Sequence, residues 1–290
     1  MVIRSGKAGY FSMIVMAAAA LVLFTSASDG QSREKKTVIL ATTTSLVDSG
    51  LLDVLIPSFE KKTGFLVKAL SVGSGQAMML GERGEADVLF VHDQAAEKSL
   101  MTKGSGINRR LVMYNDFYIA GPAHDPAGIM GAPSALEAFK RIAASGSLFI
   151  SRGDGSGTDR KEKSLWALAG LNPEGRKWHQ ETGTGMGQTL QVAAEKRAYT
   201  LVDRATFLAF AGKIDLTAFV KGGKHLWNIY HVIEVNPVKW PKVNQAGAKA
   251  FADFLLSAET QRAIMNYGRP RLAEPLFFAG RDKTEEELDR

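Results

Sequence analysis

Residues 151–158 read Ser-Arg-Gly-Asp-Gly-Ser-Gly-Thr, behind the apolar run Leu148-Phe149-Ile150 and ahead of residues 161–171, whose apolar positions have helical spacing. The pattern predicts a strand, a glycine-rich turn and a helix start. Three glycines let successive backbone N–H groups converge on one concavity, while Ser156 and Thr158 add hydroxyl donors and Arg152 adds a planar cation. Such a set suits a small anion. The same residue types also make a plain surface turn, so the reading depends on whether other stretches bring donors of the same kind.

Three do. Thr42-Thr43-Thr44-Ser45 sets hydroxyls in succession after the apolar residues 37–40, and helical spacing follows at Leu51, Leu52, Leu55, Ile56 and Phe59, with Asp48 or Ser49 placed to cap it. Gly73-Ser74-Gly75 ends the extended stretch 66–72, and Gly183-Thr184-Gly185-Met186-Gly187 precedes the helical residues 188–196. Arg204, after the short strand 199–202 and Asp203, is either a second candidate cation or a surface arginine beside a helix start. The hydroxyl run likewise either faces a ligand or caps its own turn.

Residues for catalysis are missing from this pattern. His92, His124, His179, His225 and His231 have no zinc-type spacing, and there is no cysteine to assist them. No Gly-x-Ser-x-Gly elbow occurs, because Asp154 stands two before Ser156, and no Gly-Lys-Ser or Gly-Lys-Thr ends a glycine loop. Ser58-Phe59-Glu60-Lys61 has the Ser-x-x-Lys form, but Lys62-Thr63-Gly64 follows at once, where an acylating site draws the two from distant elements. The reading is therefore a binding protein rather than an enzyme, with a periplasmic phosphate-ester hydrolase as the rival from another class, and with no cofactor and no bare metal ion.

The elements that must position these donors alternate. Predicted strands at 37–40, 66–72, 87–91, 110–113, 117–120, 148–150, 199–202 and 227–235 are separated by helices at 76–83, 94–103, 134–144, 188–196 and 205–210. Helices at 244–256 and 258–267 close the chain. This is the pattern of an α/β fold with mostly parallel sheets covered on both faces. A chain of 290 residues with 45% apolar content can build two such lobes. The net charge of +6 comes from scattered lysines and arginines, which excludes a nucleic-acid stripe.

Arg4 and Lys7 precede the apolar residues 10–24 and the small residues Thr25-Ser26-Ala27, the form of a cleaved signal peptide over residues 1–27. Its removal leaves 34 basic and 30 acidic residues, a net charge of +4. An exported chain without cysteine relies on its core instead of disulfides, and it has no thiol for an N-terminal lipid. Residues 28–36 form a polar leader, residues 281–290 form an acidic tail, and residues 285–290 within it are expected to be solvated.

The hydroxyl run at 42–45, the 151–158 loop with Lys161-Glu162 and Leu165-Trp166, the 183–187 corner with Thr189-Leu190, and Ala198-Tyr199-Thr200-Leu201-Val202-Asp203-Arg204 occur in order over residues 36–278. As a set they resemble the tungstate-binding proteins of tungstate import systems. The Ser74 and Ser156-Gly157-Thr158 loops are similar to those of molybdate- and phosphate-binding proteins as well. The resemblance implies a two-lobed, type II periplasmic binding protein, each lobe an α/β sheet flanked by helices, with the ligand in the inter-lobe cleft. It implies lobe 1 from residues 37–116 plus 230–280 and lobe 2 from residues 117–229, hinged near 114–117 and 229–232. It further implies a monomer that gives tungstate or molybdate to the membrane permease of an ABC transporter and its ATPase.

On this reading Thr43, Thr44, Ser45 and Ser74 hold the oxyanion from one lobe, and Arg152, Ser156, Gly157 and Thr158 from the other, with Arg204 as an addition. Asp154 is expected to accept backbone amides or to pair with Arg152. One departure stands out: the family carries histidine after Ser-Gly-Thr, and this chain has Asp159. Facing the ligand it would repel a dianion; in the first helical turn it would favour the helix dipole.

Overall fold

The computed structural model describes residues 37–269 and 274–288; the expected signal peptide and leader lie outside the described residues. Ten strands are described, β1 Thr37–Thr43, β2 Leu66–Val72, β3 Val88–Val91, β4 Gly106–Gly121, β5 Phe149–Ser151, β6 His179–Glu181, β7 Thr200–Asp203, β8 Thr217–Lys221, β9 Trp227–Val235 and β10 Phe278–Ala279. The helices are α1 Thr44–Asp48, α2 Leu51–Thr63, α3 Ser74–Glu82, α4 Gln94–Thr102, α5 Ala135–Ser145, α6 Gly157–Leu168, α7 Met186–Glu195, α8 Arg204–Ala209, α9 Gln245–Leu256, α10 Ala258–Asn266 and α11 Glu285–Leu288.

Side-chain caps set most of the helix starts. Asp93, Ser134, Ser156, Asp203, Asn244 and Ser257 each accept a backbone N–H from the first turn of the helix they precede. The burial of β1 and β3 is continuous, as expected for strands covered on both faces, while β2 alternates as an edge strand.

β1 pairs in parallel with β2 and with β3, so all three point their carboxyl ends at one edge. That kernel is parallel as the sequence pattern implies, but the two long strands enter it the other way. β9 is antiparallel to β3, and β4 is antiparallel to β9. β4 is one continuous strand of 16 residues where the sequence suggests two extended stretches. Tyr114, Asn115 and Asp116 pair with β9, and from Phe117 onward the strand pairs with β7 and β8 instead. One strand thus passes from the first sheet into the second. Sheet pairing beside the crossing keeps Tyr114-Asn115-Asp116 extended where local sequence reads as a turn.

Separate cores lie on either side of that crossing. In the first lobe Leu51, Leu55 and Phe59 of α2 pack with Phe251 and Leu255 of α9 on one sheet face, and Ala77 and Met78 of α3 pack with Leu100 of α4 on the other. In the second, Phe139 of α5 and Trp166 of α6 pack on Phe149, while Met186 and Leu190 of α7 pack with Tyr118 and Val202. Each lobe is therefore a sheet between two helical layers. Most of the described acidic tail is exposed, but Glu285 is bound to Lys98, Arg109 and His231, and Leu288 is buried. The exposed Lys98 and the largely buried Arg109 and His231 of the first lobe hold Glu285.

Candidate functional site: the corner where the lobes meet

Because β1, β2 and β3 are parallel, the residues after them share one edge: Thr43 to Ser45 after β1, Ser74 after β2, and His92 after β3. A sheet of this kind binds ligands at such an edge. Thr42 is the exception in the hydroxyl run, since its Oγ1 donates to the Phe90 carbonyl at 2.9 Å and serves the sheet. Thr43 Oγ1 lies 3.2 Å from Ser45 Oγ, which in turn lies 3.3 Å from His92 Nε2.

The second lobe meets this edge through the loop after β5. Gly153 and Gly155 have φ of 59° and 69°, the left-handed region that lets the chain reverse into α6. Arg152 is only 3% exposed. Its Nη2 donates to Thr44 Oγ1 of the first lobe at 3.3 Å and to Asp154 Oδ2 at 2.5 Å. Asp154 also accepts the Ser156 N–H at 3.1 Å, so it both pairs with Arg152 and holds an amide. The Gly157 N–H, at the amino end of α6, donates to Ser74 Oγ at 2.9 Å. The structure thus brings Thr43, Thr44, Ser45 and Ser74 together with Arg152 and Gly157, with Ser156 and Thr158 buried on the same helix start. Ser156 Oγ caps that helix by accepting the Asp159 N–H at 3.3 Å.

The 183–187 corner supports this arrangement. The Gly183 N–H donates to the Arg152 carbonyl at 2.8 Å, and a side chain added at Gly185 would reach within 3.7 Å of Thr44 Oγ1. Asp159 lies in the first turn of α6 and is buried. Its Oδ2 accepts the Gly155 N–H at 3.1 Å and the Lys163 ammonium at 3.0 Å.

Arg204 is placed elsewhere. Its Nε donates to Tyr118 Oη at 2.5 Å, its Nη2 pairs with Glu274 at 2.7 Å, and Nε lies 3.3 Å from Asp116. The guanidinium lies over the rings of Tyr118 and Phe278, 5.6 and 5.2 Å from their centroids. Asp203 Oδ1 caps α8 by accepting the Thr206 N–H at 2.9 Å, while its Oδ2 is buried without a partner among the described residues.

His92 is the residue the sequence reading missed as a site member. A single histidine after a short apolar run has no local signal; its position follows from the parallel order of β1 and β3. Burial and the nearby Arg152 charge push the imidazole down to about 4, against smaller upward pulls from the Asn228 side chain and Asp93. Burial raises Asp203, and it raises Tyr230 well above the ordinary phenol value. His92 Nδ1, Arg152 Nε, Ser151 Oγ and Thr158 Oγ1 are buried polar atoms without a hydrogen-bond partner among the described residues. Such atoms are costly unless a ligand engages them.

Ser45 and His92 could be read as a nucleophile and its base. An imidazole held near 4 is a feeble base at neutral pH, however. The corner is arranged to hold a ligand, and the class it defines is the two-lobed solute-binding protein. The chain matches the PBP superfamily domain over residues 27–259 and belongs to that superfamily. It is 45% identical over 249 residues to the tungstate-binding protein TupA of Peptoclostridium acidaminophilum, covering 85% of this chain and 87% of that one. The crystal structure of the tungstate ABC transporter from Geobacter sulfurreducens is 47% identical and aligns over 80% of this chain and 99% of that one, with a TM-score of 0.74. The tungstate-binding protein TupA of Desulfovibrio alaskensis G20 is 41% identical over 85% and 99% of the two chains, with a TM-score of 0.73.

Proposed function

We propose that this protein captures the tungstate oxyanion between its lobes and delivers it to the permease of an ABC transporter. The observation that carries the reading is the buried Arg152, which reaches from the second lobe to Thr44 of the first while its Nε has no partner among the described residues. A tetrahedral dianion offers four oxygens and no proton at neutral pH, so its site needs donors. Thr43, Thr44, Ser45 and Ser74 supply them from one side, and Arg152, Ser156, Gly157 and Thr158 from the other. Charge-assisted hydrogen bonds contribute about 1.5–3 kcal/mol each and a nanomolar complex needs about 12 kcal/mol, so roughly six good donors reach that range before lobe closure and anion dehydration oppose them.

The lobes are residues 37–116 plus 230–280 and residues 117–229. The passage of β4 between sheets at Asp116 and Phe117 supports that division. Closure turns on the crossing strands, with Asn115 and Asn228 joined side chain to side chain at 2.9 Å. Residues 1–27 are a cleaved signal peptide, and the mature monomer works in the periplasm. Among the described residues no helix is long and apolar enough to cross a membrane. Molybdate, nearly equal in size and charge, is the closest competitor.

Calorimetric competition among tungstate, molybdate, sulfate and phosphate on ligand-stripped protein tests the reading. Tungstate should bind at nanomolar level, with sulfate and phosphate weaker by orders of magnitude. Tight phosphate binding with no response to tungstate would replace it.

A further inference from the structure

We propose that the His92 side chain is a direct contact of the bound oxyanion and takes up a proton as the anion is captured. The proposal rests on the oxyanion reading above and adds to it a residue and a proton. Its first support is position. The ring stands where donors of both lobes meet: Nε2 lies 3.3 Å from Ser45 Oγ, and a side chain added at Gly157 would come 3.2 Å from Cε1 and 3.4 Å from Nδ1. The second is an unmet need. The ring is 8% exposed, and Nδ1, on the side facing the amino end of α6, has no hydrogen-bond partner among the described residues.

The charges around the ring set its behaviour. Arg152, on the loop after β5, repels a proton. Asp93, at the start of α4, attracts one, but it is paired with Arg160 of α6. From β9 come the Asn228 amide and the Tyr230 ring, 4.8 Å away between centroids, with its phenol kept neutral. Without a ligand the imidazole is neutral, at about 4. A dianion seated against Arg152 reverses the sign of the local field, and the imidazolium, with donors on both nitrogens, is then the favoured form. The proton comes from solvent and no covalent bond changes. Where the bound ring is protonated and the free ring is not, affinity rises toward about tenfold per unit fall in pH.

The test is calorimetric titration of the mature chain with sodium tungstate at pH 6–8, in buffers of different ionisation enthalpy, with the His92 imidazole followed by NMR. Uptake should climb toward one proton per tungstate as pH falls, and the His92 resonances should move to imidazolium positions on binding. In His92→Gln tungstate should still bind, with no buffer dependence and a Kd nearly flat in pH. Tungstate binding by the wild type with no proton uptake, or unchanged uptake in His92→Gln, overturns the inference and leaves the transport reading intact. Failure of the wild type to bind tungstate overturns the transport reading itself, and this inference with it. If the variant does not fold, the buffer series and NMR on the wild type decide alone.

Discussion

Removing the guanidinium at position 152 asks the most of the site. Arg152 is buried, and two of its observed bonds run to Thr44 and Asp154 through one nitrogen, which leaves Nε without a partner among the described residues. If the guanidinium gives the anion two charge-assisted bonds at about 1.5–3 kcal/mol each, Arg152→Ala loses about 3–6 kcal/mol, or roughly two to four orders of magnitude in Kd. Thr43→Ala removes one hydroxyl donor to the dianion, worth about 1.5–3 kcal/mol, so its loss stays at roughly one to two orders of magnitude.

The measurement is titration calorimetry with tungstate on ligand-stripped protein, beside the rise in Tm that tungstate produces. Arg152→Ala also strands the Asp154 carboxylate, although the Ser156 amide still binds it. The double variant with Asp154→Asn removes that complication, and it should show the same loss of affinity as the single variant. Equal losses for Arg152→Ala and Thr43→Ala would show that the cation does not lead the binding, and the account of the corner would fail.

Three further outcomes follow from the geometry. Gly157→Ala would bring a methyl group to 3.0 Å from Ser74 Oγ and 3.2 Å from His92 Cε1; overpacking of about 1–3 kcal/mol weakens binding roughly tenfold or more, with scattering dimensions more open in the presence of tungstate. Arg204→Ala breaks the link from α8 to Glu274 and Asp116, so Tm should fall while the ranking of anions in competition calorimetry stays unchanged. In the ligand-free protein His92 titrates at about 4 and in the unfolded chain at its ordinary 6.5. Between those values the unfolded chain holds more protons, so stability is full above 6.5 and falls by up to about 3 kcal/mol as pH drops through the window. His231 is raised by Glu285 and Glu97 against its own burial and acts in the opposite sense, its contribution being present below 6.5 and lost as pH rises. Urea melts from pH 7 to 4 on wild type and His92→Gln should therefore differ in slope by the His92 part alone.

Much of this corner was legible before any coordinates. The strand at 66–72, the strand at 227–235 and the loop-to-helix junction at 151–158 follow from local chemistry: an alternating or apolar run, then turn residues, then a cap. Sequence pattern was weaker where tertiary contacts decide. β6 at His179–Glu181 has no apolar run of its own and exists through pairing with β5, while β8 at Thr217–Lys221 has only the short run Ala218-Phe219-Val220 and is fixed by pairing with β4. Arg204 shows the limit for side chains. A cation at a strand end resembles Arg152 in sequence, but its direction is set by Tyr118, Asp116 and Glu274, residues far from it along the chain.

The contacts between the lobes fall into two kinds, and the difference bears on how binding and closure are linked. Arg152 to Thr44, and Gly157 to Ser74, join groups that are themselves candidate ligand donors. Arg160 to Asp93 joins groups beside the corner, with Arg160 substantially exposed. A seated anion competes for or replaces contacts of the first kind and leaves the second in place. Arg160→Ala should therefore cost less affinity than Arg152→Ala, because the Arg160 end of the pair is open to solvent and the buried Asp93 it leaves is still held by the Ala96 N–H. A loss as large as that of Arg152→Ala would mean that closure is driven from the rim of the cleft instead of by the ligand.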